Sequence, residues 1–396
     1  MKLDYINESL IKLHNFVKSE NYLGNSLYDS HNSKFSFEKL GTKPSFYINQ
    51  IVKRSPINLR KVLRVPKGIN PKGQGLFLYS YSKLYGTGLI DDKEIEDRAK
   101  YFYNWLKENP SVGYSGHCWG YNYFWPKRDG SHVPAYTPSV VVTGFISRSL
   151  LEYYEVFKDE TVRDVLKSCT KFVMNDVNLY KGDDGYCFSY TPVKKDLTVN
   201  ANLLAAETLL YSDLLNKENN FKEYVDQVIK FTLNTQNEDG SWYYSFDYST
   251  REPKKQIDFH QGYVLESLYR LSKYYEIAYG IKSPNVKDAI QKGLNFYKEK
   301  QFDTKGFAYW RLPKKYPIDI HNQSQGIITF LSMKDYIKGG EKFAHKIAEW
   351  TVDNMQGRMG NFYYQKYPLL INKTNYLRWN QGWMMVALTT FLNNNK

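Results

Sequence analysis

The sequence predicts an all-α fold, an (α/α)6 toroid built from six helix pairs of about 60 residues each. Three observations predict it. One pattern recurs along the chain: marked by the residue two before the His of "IDFH" and "IDIH", or its equivalent, it falls at Asn70, Thr137, Thr198, Asp258, Asp319 and Arg378, at intervals of 67, 61, 60, 61 and 59 residues. Each later unit pairs a helix-period segment that has one apolar face with a second segment that is apolar nearly all round. The first type belongs at a surface and the second inside. The units follow one another without a low-complexity linker, and stacked repeats of this kind bury one continuous core.

The elements follow in order. Residues 1–54 are read as an N-terminal helical extension and residues 55–396 as the toroid. The opening "MKLDYINESLIKLHNFVKSE" has an acidic residue at position 4 and no continuous apolar stretch, so it reads as an amphipathic helix rather than a secretion signal. The outer helices include "TVRDVLKSCTKFVMNDV", "KEYVDQVIKFTLNTQ", "NVKDAIQKGLNFYKEKQ" and "KFAHKIAEWTVDNMQ", with apolar residues at helical spacing and charges between. After each outer helix comes a glycine and an aromatic cluster: "GYNYFW", "GYCFSY", "GSWYYSF", "GFAYW" and "GNFYY". These are expected as short hairpins or loops at one end of the ring. The inner helices, such as "SVVVTGF" and "NANLLAAETLL", begin just after them. Their N-termini therefore face one mouth, and equivalent positions of successive units converge on one funnel.

Composition narrows the function. The 396 residues carry 54 Lys and Arg against 41 Asp and Glu, a formal net charge of +13. This balance favours an acidic partner. The cations are spread out, and neither an RNA-binding box nor paired CxxC motifs occur, so an acidic glycan or nucleotide-linked sugar is expected ahead of nucleic acid. Aromatics make up 17 %, with 36 Tyr; flat rings carrying a hydroxyl suit a sugar site. Cys118, Cys169 and Cys187 form neither a disulfide framework nor a zinc pattern, and no run of about 18 apolar residues occurs. The expected setting is the reduced cytoplasm, with no metal and no cofactor.

The funnel positions supply the candidate chemistry. "QIDFHQG" and "PIDIHNQ" place Asp258 with His260 and Asp319 with His321 at the same point of adjacent units. Each Asp also suits a helix cap, accepting free backbone N–H groups. His117, in "GHCWGYNYFW", lies in another unit's loop, and Asn200 and Asn202 hold the equivalent place in the third unit. Arg378, Trp379 and Asn380 hold it in the sixth. A set that changes from His to Asn to Arg between units fits a site with specialised groups. Among the clustered aromatics, Trp119, Tyr121, Trp242 and Trp310 are candidates to stack on sugar rings; the structural alternative is that each pins its outer helix to its inner helix.

The segment "QNEDGSW" resembles the QW repeat of squalene–hopene cyclases and related prenyltransferases, but the Asp-x-Asp-Asp acid of the cyclases is absent. The chain as a whole resembles a bacterial and archaeal family encoded among capsule and exopolysaccharide genes, through "CWGYNYFW", "YTPSVVVTGF", "VNANLLAAE", "QNEDGSWYY", "IDFHQGYVLESL", "YPIDIHNQSQ", "NMQGRMGNFYYQKYP" and "YLRWNQGWMM". These stretches cover the last five units. Shorter stretches, "PKGQGLFLYSYSKLYG" and "LRWN", resemble glucuronyl C5-epimerases. The resemblance implies work on a surface polysaccharide, on a sugar carried by a nucleotide or a lipid, beside membrane-bound assembly machinery.

Three functions stay open at this level. Abstraction of the C5 proton of a uronate, giving epimerisation or elimination, needs a group that neutralises the carboxylate, a base near neutrality and an acid on the other ring face. Arg378 with Asn200 or Asn380 fits the first, His260 or His321 the second, and Tyr263 or Tyr376 the third. Glycoside hydrolysis needs two carboxyl groups, for which Asp258 and Asp319 are the candidates. The third is a non-catalytic scaffold that binds a glycan or a lipid carrier.

Overall fold

The computed structural model describes residues 2–394, which contain thirteen α-helices. They are α1 (Lys2–Ser19), α2 (Thr42–Arg54), α3 (Pro71–Leu84), α4 (Asp92–Glu108), α5 (Val140–Phe157), α6 (Thr161–Asn175), α7 (Val199–Asn216), α8 (Lys222–Asn234), α9 (His260–Tyr279), α10 (Lys287–Gln301), α11 (Ile320–Ser332), α12 (Gly340–Met355) and α13 (Trp383–Asn394). Helices α3, α5, α7, α9, α11 and α13 each pack on the next, and α13 returns onto α3, closing an inner ring. The outer layer is α4, α6, α8, α10, α12 and α1. The fold is thus the all-α toroid that the repeat predicts.

Residues 1–54 do not stand apart from the ring, so its first helix precedes the boundary drawn at residue 55. Tyr5 of α1 donates to Asp353 of α12 at 2.7 Å, and Lys18 pairs with Glu94 of α4 at 2.6 Å. Ile6, Leu10, Leu13 and Val17 bury the apolar face of α1 in the common core. The physical reason is closure: α4 to α12 supply only five outer helices, and a sixth amphipathic helix is needed to cover α13 and α3. What departs from the ring is the long link from α1 to α3, which carries α2 across the mouth.

Short antiparallel strands fill the outer-to-inner connections. They are β1 (Trp125–Pro126), β2 (His132–Val133), β3 (Leu179–Gly182), β4 (Gly185–Phe188), β5 (Leu197–Thr198), β6 (Ser245–Phe246), β7 (Pro253–Lys254), β8 (Ile318–Asp319), β9 (Gln365–Lys366) and β10 (Ile371–Asn372). The β6–β7 hairpin pairs with β5, so Thr198 at the start of α7 faces Ser245 of the next unit. The β9–β10 hairpin pairs likewise with β8, placing Asp319 opposite Gln365. Each of these sheets stitches the mouth ends of neighbouring units together.

The glycine-aromatic turns have a specific task. Gly240 has φ of +89°, and a Cβ there would lie 2.5 Å from the carbonyl oxygen of Lys292, so the turn seats directly on outer helix α10. Two residues on, the buried Trp242 donates its indole N–H to the Thr232 carbonyl of α8 at 2.8 Å. Its backbone N–H donates to Gln261 Oε1 of α9 at 3.0 Å, and Gln261 returns an N–H to its carbonyl. Gln381 clamps Phe362 in the same way, and Asn202 holds Tyr186 and Phe188. An amide one turn into the inner helix therefore fixes the aromatic turn, which fixes the outer helix.

Deeper along the inner helices, the ring axis is filled by charge. Arg148 pairs with Glu207 through Nε at 2.6 Å and with Glu266 at 2.9 Å, and Arg270 pairs with Glu152 at 3.2 Å. Lys83 also pairs with Glu152. Each buried charge here has a partner on another inner helix, as burial requires.

Candidate active site

A cavity of about 660 Å³ opens at the N-terminal ends of the inner helices. All six residues expected to carry chemistry line it: Asp258, His260 and Tyr263 from the start of α9, Asp319 and His321 from the start of α11, and Arg378. Arg378 and Trp379 are offered by a π-helical turn, Leu377–Gly382, that precedes α13. A π turn re-aims side chains relative to a regular helix. Asn200, Tyr121 and Trp310 also reach the cavity.

Asp319 is the N-cap of α11, Asp258 accepts from the first N–H of α9 from one residue before its N-cap, and both touch the chemistry-bearing groups. Asp258 Oδ1 accepts from the backbone N–H of His260 at 3.2 Å and lies 2.5 Å from its ring Nδ1. Oδ2 accepts from Gln256 at 2.7 Å, with Arg311 Nε 3.6 Å away. Burial works to raise the pKa of Asp258, but His260 and Arg311 hold it below the usual carboxylate range. Asp319 Oδ1 accepts from the His321 backbone at 3.0 Å and from the Trp379 indole at 2.8 Å, and Oδ2 accepts from Gln365 at 2.7 Å. Burial pushes this carboxyl up to about 6 against those three donors.

The two imidazoles flank Phe259, whose ring lies 4.2 Å from that of His260 and 4.4 Å from that of His321, centre to centre. His321 is fully enclosed. Burial and then the nearby cations Lys72 and Arg378 hold its pKa well below the ordinary histidine value, so the ring is neutral at pH 7. Its Nε2 is 2.5 Å from the Tyr263 hydroxyl. A bare Nε2 accepts from that hydroxyl, leaving the proton of the neutral ring on Nδ1.

Arg378 is buried, and among the described residues it forms no ion pair. Its guanidinium lies 4.8 Å from the Tyr121 ring centre. Its Nε and the buried Oδ1 of Asn200 have no hydrogen-bond partner in the protein. Buried polar groups are ordinarily satisfied, so an unpaired donor and acceptor on the cavity lining are free to meet a ligand.

Six of the expected binding residues do not line the cavity. His117 is fixed by Ser168 of α6 at 2.9 Å and the Lys107 carbonyl of α4 at 3.3 Å. Trp119 donates to the Leu106 carbonyl at 3.0 Å, and Trp242 and Asn202 belong to the clamps already described. Asn380 holds the Phe362 and Thr374 carbonyls at 3.0 and 2.9 Å. Tyr376 is buried behind the lining, 4.7 Å from the Arg60 guanidinium, and so cannot act as the ring-face acid. Backbone groups of the turns, which must be satisfied once buried, take up Asn202 and Asn380, while His117, Trp119 and Trp242 tie to the outer helices.

Sequence reasoning missed several groups. Lys72, in the first turn of α3, is buried at the cavity with its Nζ 3.9 Å from the Phe145 ring centre and no carboxylate partner among the described residues. Burial, followed by Arg378 and Arg148, lowers its pKa well below the ordinary value. Lys53 and Arg54 arrive from α2, and Lys254, Arg311 and Lys314 from the mouth loops. The lining thus holds seven cationic side chains against two carboxylates. The phase mark at Asn70, two residues before Lys72, was the one available signal. Aromatics Tyr28, Tyr123, Trp125, Tyr190 and Tyr244 complete the walls.

No protein-family model matches the sequence, and no curated protein sequence matches it. Solved structures share the fold at low identity. Cellobiose 2-epimerase from Bacillus thermoamylovorans B4167 aligns with TM-score 0.64 and 13 % identity, covering 83 % of this chain and 90 % of that one. A possible member of the GH105 family from Salmonella enterica serovar Paratyphi A gives 0.63 and 12 %, covering 100 % and 94 %. A D-mannose isomerase gives 0.58 and 13 %, covering 82 % and 87 %.

Proposed function

We propose that this chain is a carbohydrate-active enzyme that abstracts a proton beside the carboxylate of an acidic sugar, as an epimerase or a lyase. Its substrate is a uronate or a uronate-containing glycan, carried on a nucleotide or a lipid, in cytoplasmic assembly of a surface polysaccharide. The observation that carries the reading is the 2.5 Å contact of Tyr263 with a neutral His321, beneath two cations, Lys72 and Arg378, that have no carboxylate of their own. The use of this fold by a sugar epimerase and a sugar isomerase supports the same class.

In this reading the sugar carboxylate lies against Arg378 and Lys72, and the free Asn200 Oδ1 accepts from a sugar hydroxyl. Neutralising it stabilises the enolate that forms when the adjacent C–H proton leaves. His260, with Nδ1 held by Asp258, takes that proton on Nε2. Tyr263 gives its hydroxyl proton to the opposite face, which yields the epimer; the phenolate left near Lys72 and the proton taken by His260 are reset by exchange with solvent. Departure of the substituent on the neighbouring carbon instead gives the unsaturated lyase product.

The hydrolase reading fares less well on geometry. All four carboxylate oxygens of Asp258 and Asp319 already accept N–H groups of the protein. The donors already held by these oxygens compete with protonation of a leaving oxygen and with activation of water. Incubation with acidic sugars and uronate glycans in deuterated water separates the outcomes. Deuterium at the carbon beside the carboxylate identifies an epimerase, and new ultraviolet absorption identifies a lyase. Reducing ends without either would refute the proposal in favour of hydrolysis, and tight binding without any product would show a scaffold.

A further inference from the structure

The link from α1 to α3 differs from the rest of the surface. Residues 34–67 hold nine Lys and Arg and one acid, Glu38. Arg60 is buried against Asp29, Lys67 pairs with Glu20, and Lys53 turns into the cavity. Lys34, Lys39, Lys43, Arg54, Lys61 and Arg64 are exposed and have no ion pair among the described residues. Interleaved with them, Phe35, Leu40, Tyr47, Ile51 (63 %), Ile57 (72 %) and Val62 (75 %) are exposed. These are six of the 18 large apolar side chains exposed among the described residues, gathered in under a tenth of the chain. Such concentration marks an interaction surface rather than ordinary surface scatter.

The patch has a defined orientation. On α2, Lys43, Tyr47, Ile51 and Arg54 follow helical spacing and form one exposed stripe, while Ser45, Asn49 and Val52 are buried on the other side. Asn372 of β10 donates to the Ser55 carbonyl at 3.0 Å, bringing the tip of the β9–β10 hairpin alongside, with Leu369 fully exposed at 99 %. Arg54 and Tyr367, on these same two elements, line the cavity. The apolar and basic patch is therefore part of the rim of the mouth.

We propose that this rim docks the protein on an anionic phospholipid surface, with the cavity mouth turned towards the headgroups. Aliphatic and aromatic side chains interleaved with Lys and Arg match the boundary between headgroups and acyl chains, where the apolar groups leave water and the cations meet lipid phosphates. A second copy of the chain is a poor occupant, because a two-fold contact would set the same six unpaired cations against themselves. Among the described residues, no helix is long and apolar enough to cross a membrane. Docking of this kind would bring a lipid-linked sugar to the site, but it does not depend on the chemistry proposed above.

The test uses the full chain and sedimentation with vesicles of phosphatidylcholine alone or mixed with phosphatidylglycerol. The expected result is binding to the mixed vesicles, weakened by added salt. The variant Lys39→Gln/Lys43→Gln/Lys61→Gln should bind on the order of 100-fold more weakly. The variant Ile51→Asn/Ile57→Asn/Val62→Asn should lose at least tenfold. Turnover of a soluble acidic sugar should be unchanged in both, since none of the six residues lines the cavity. Failure to bind mixed vesicles, or equal binding by the variants, overturns docking. So does a concentration-dependent dimer that the apolar variant abolishes while vesicles stay unbound. Docking with no turnover on any acidic sugar would overturn the proposed chemistry and leave the docking surface standing.

Discussion

The Tyr263 hydroxyl and Nε2 of His321 lie 2.5 Å apart although 58 residues separate them in the chain. Tyr263 sits one turn into α9, and His321 is the second residue of α11. Adjacent inner helices bring the two together because their N-termini start at the same level of the ring. Tyr263→Phe keeps the ring that packs on Phe145 and Trp383 and removes only the O–H. Solvent deuterium incorporation into product should fall by about 10²–10⁴-fold, the usual worth of one general acid–base group, with unfolding unchanged. An undiminished rate would take Tyr263 out of the proton path.

Asp258 gives a second separation of roles. If it served only as a cap, Asp258→Asn and Asp258→Ser would be nearly silent, since these residues cap equally well. Its 2.5 Å contact with His260 Nδ1 leads to a different expectation. Turnover should fall by about 10²-fold or more in both variants, with stability within about 1 kcal/mol of the parent. Because Asp258 acts through His260, the loss should fall on kcat rather than on KM. Equal rates would reduce Asp258 to a cap.

Asp319 should leave a mark on stability rather than on rate. Its carboxyl is raised from 3.8 to about 6, so the folded protein holds a proton that the unfolded chain has already released between those values. The associated stability is fully present below about pH 3.8 and is lost as pH rises through about 6. The ceiling on that loss is about 3 kcal/mol at 1.36 kcal/mol per unit. Urea unfolding across this range should show the slope in the parent and a flatter one in Asp319→Asn. An identical slope in the variant would place the effect elsewhere.

Lys72 should trade stability for function. Its buried amino group has aromatic neighbours and no carboxylate, so Lys72→Met should stabilise the fold by about 1–3 kcal/mol. The same change should raise KM for an acidic sugar at least tenfold while leaving neutral analogues unaffected. A destabilised variant, or equal losses on charged and neutral sugars, would contradict a carboxylate-binding role.

Much of this molecule was legible in the sequence. The six phase marks each fall at or beside the N-terminus of an inner helix, because one buried helix per unit needs the same apolar pattern every time. Asp258, His260, Asp319 and His321 were legible for the same reason: equivalent positions in a closed ring must face one mouth. The aromatic turns were not. Trp119 and Trp242 satisfy the same local pattern as Trp310, yet the first two are buried in helix clamps and only Trp310 faces the cavity.

The sequence by itself determined the number of units, the inner and outer roles of the helices in the later units and the end at which polar groups converge. Those follow from local periodicity, which every residue of a segment reinforces. Only the tertiary structure decided that α1 closes the outer ring, that α2 crosses the mouth, and that Lys72, Lys53 and Arg311 join Arg378 in one cavity. These pairings span tens to hundreds of residues. They depend on how much space remains once the ring has closed, and no local spacing encodes that.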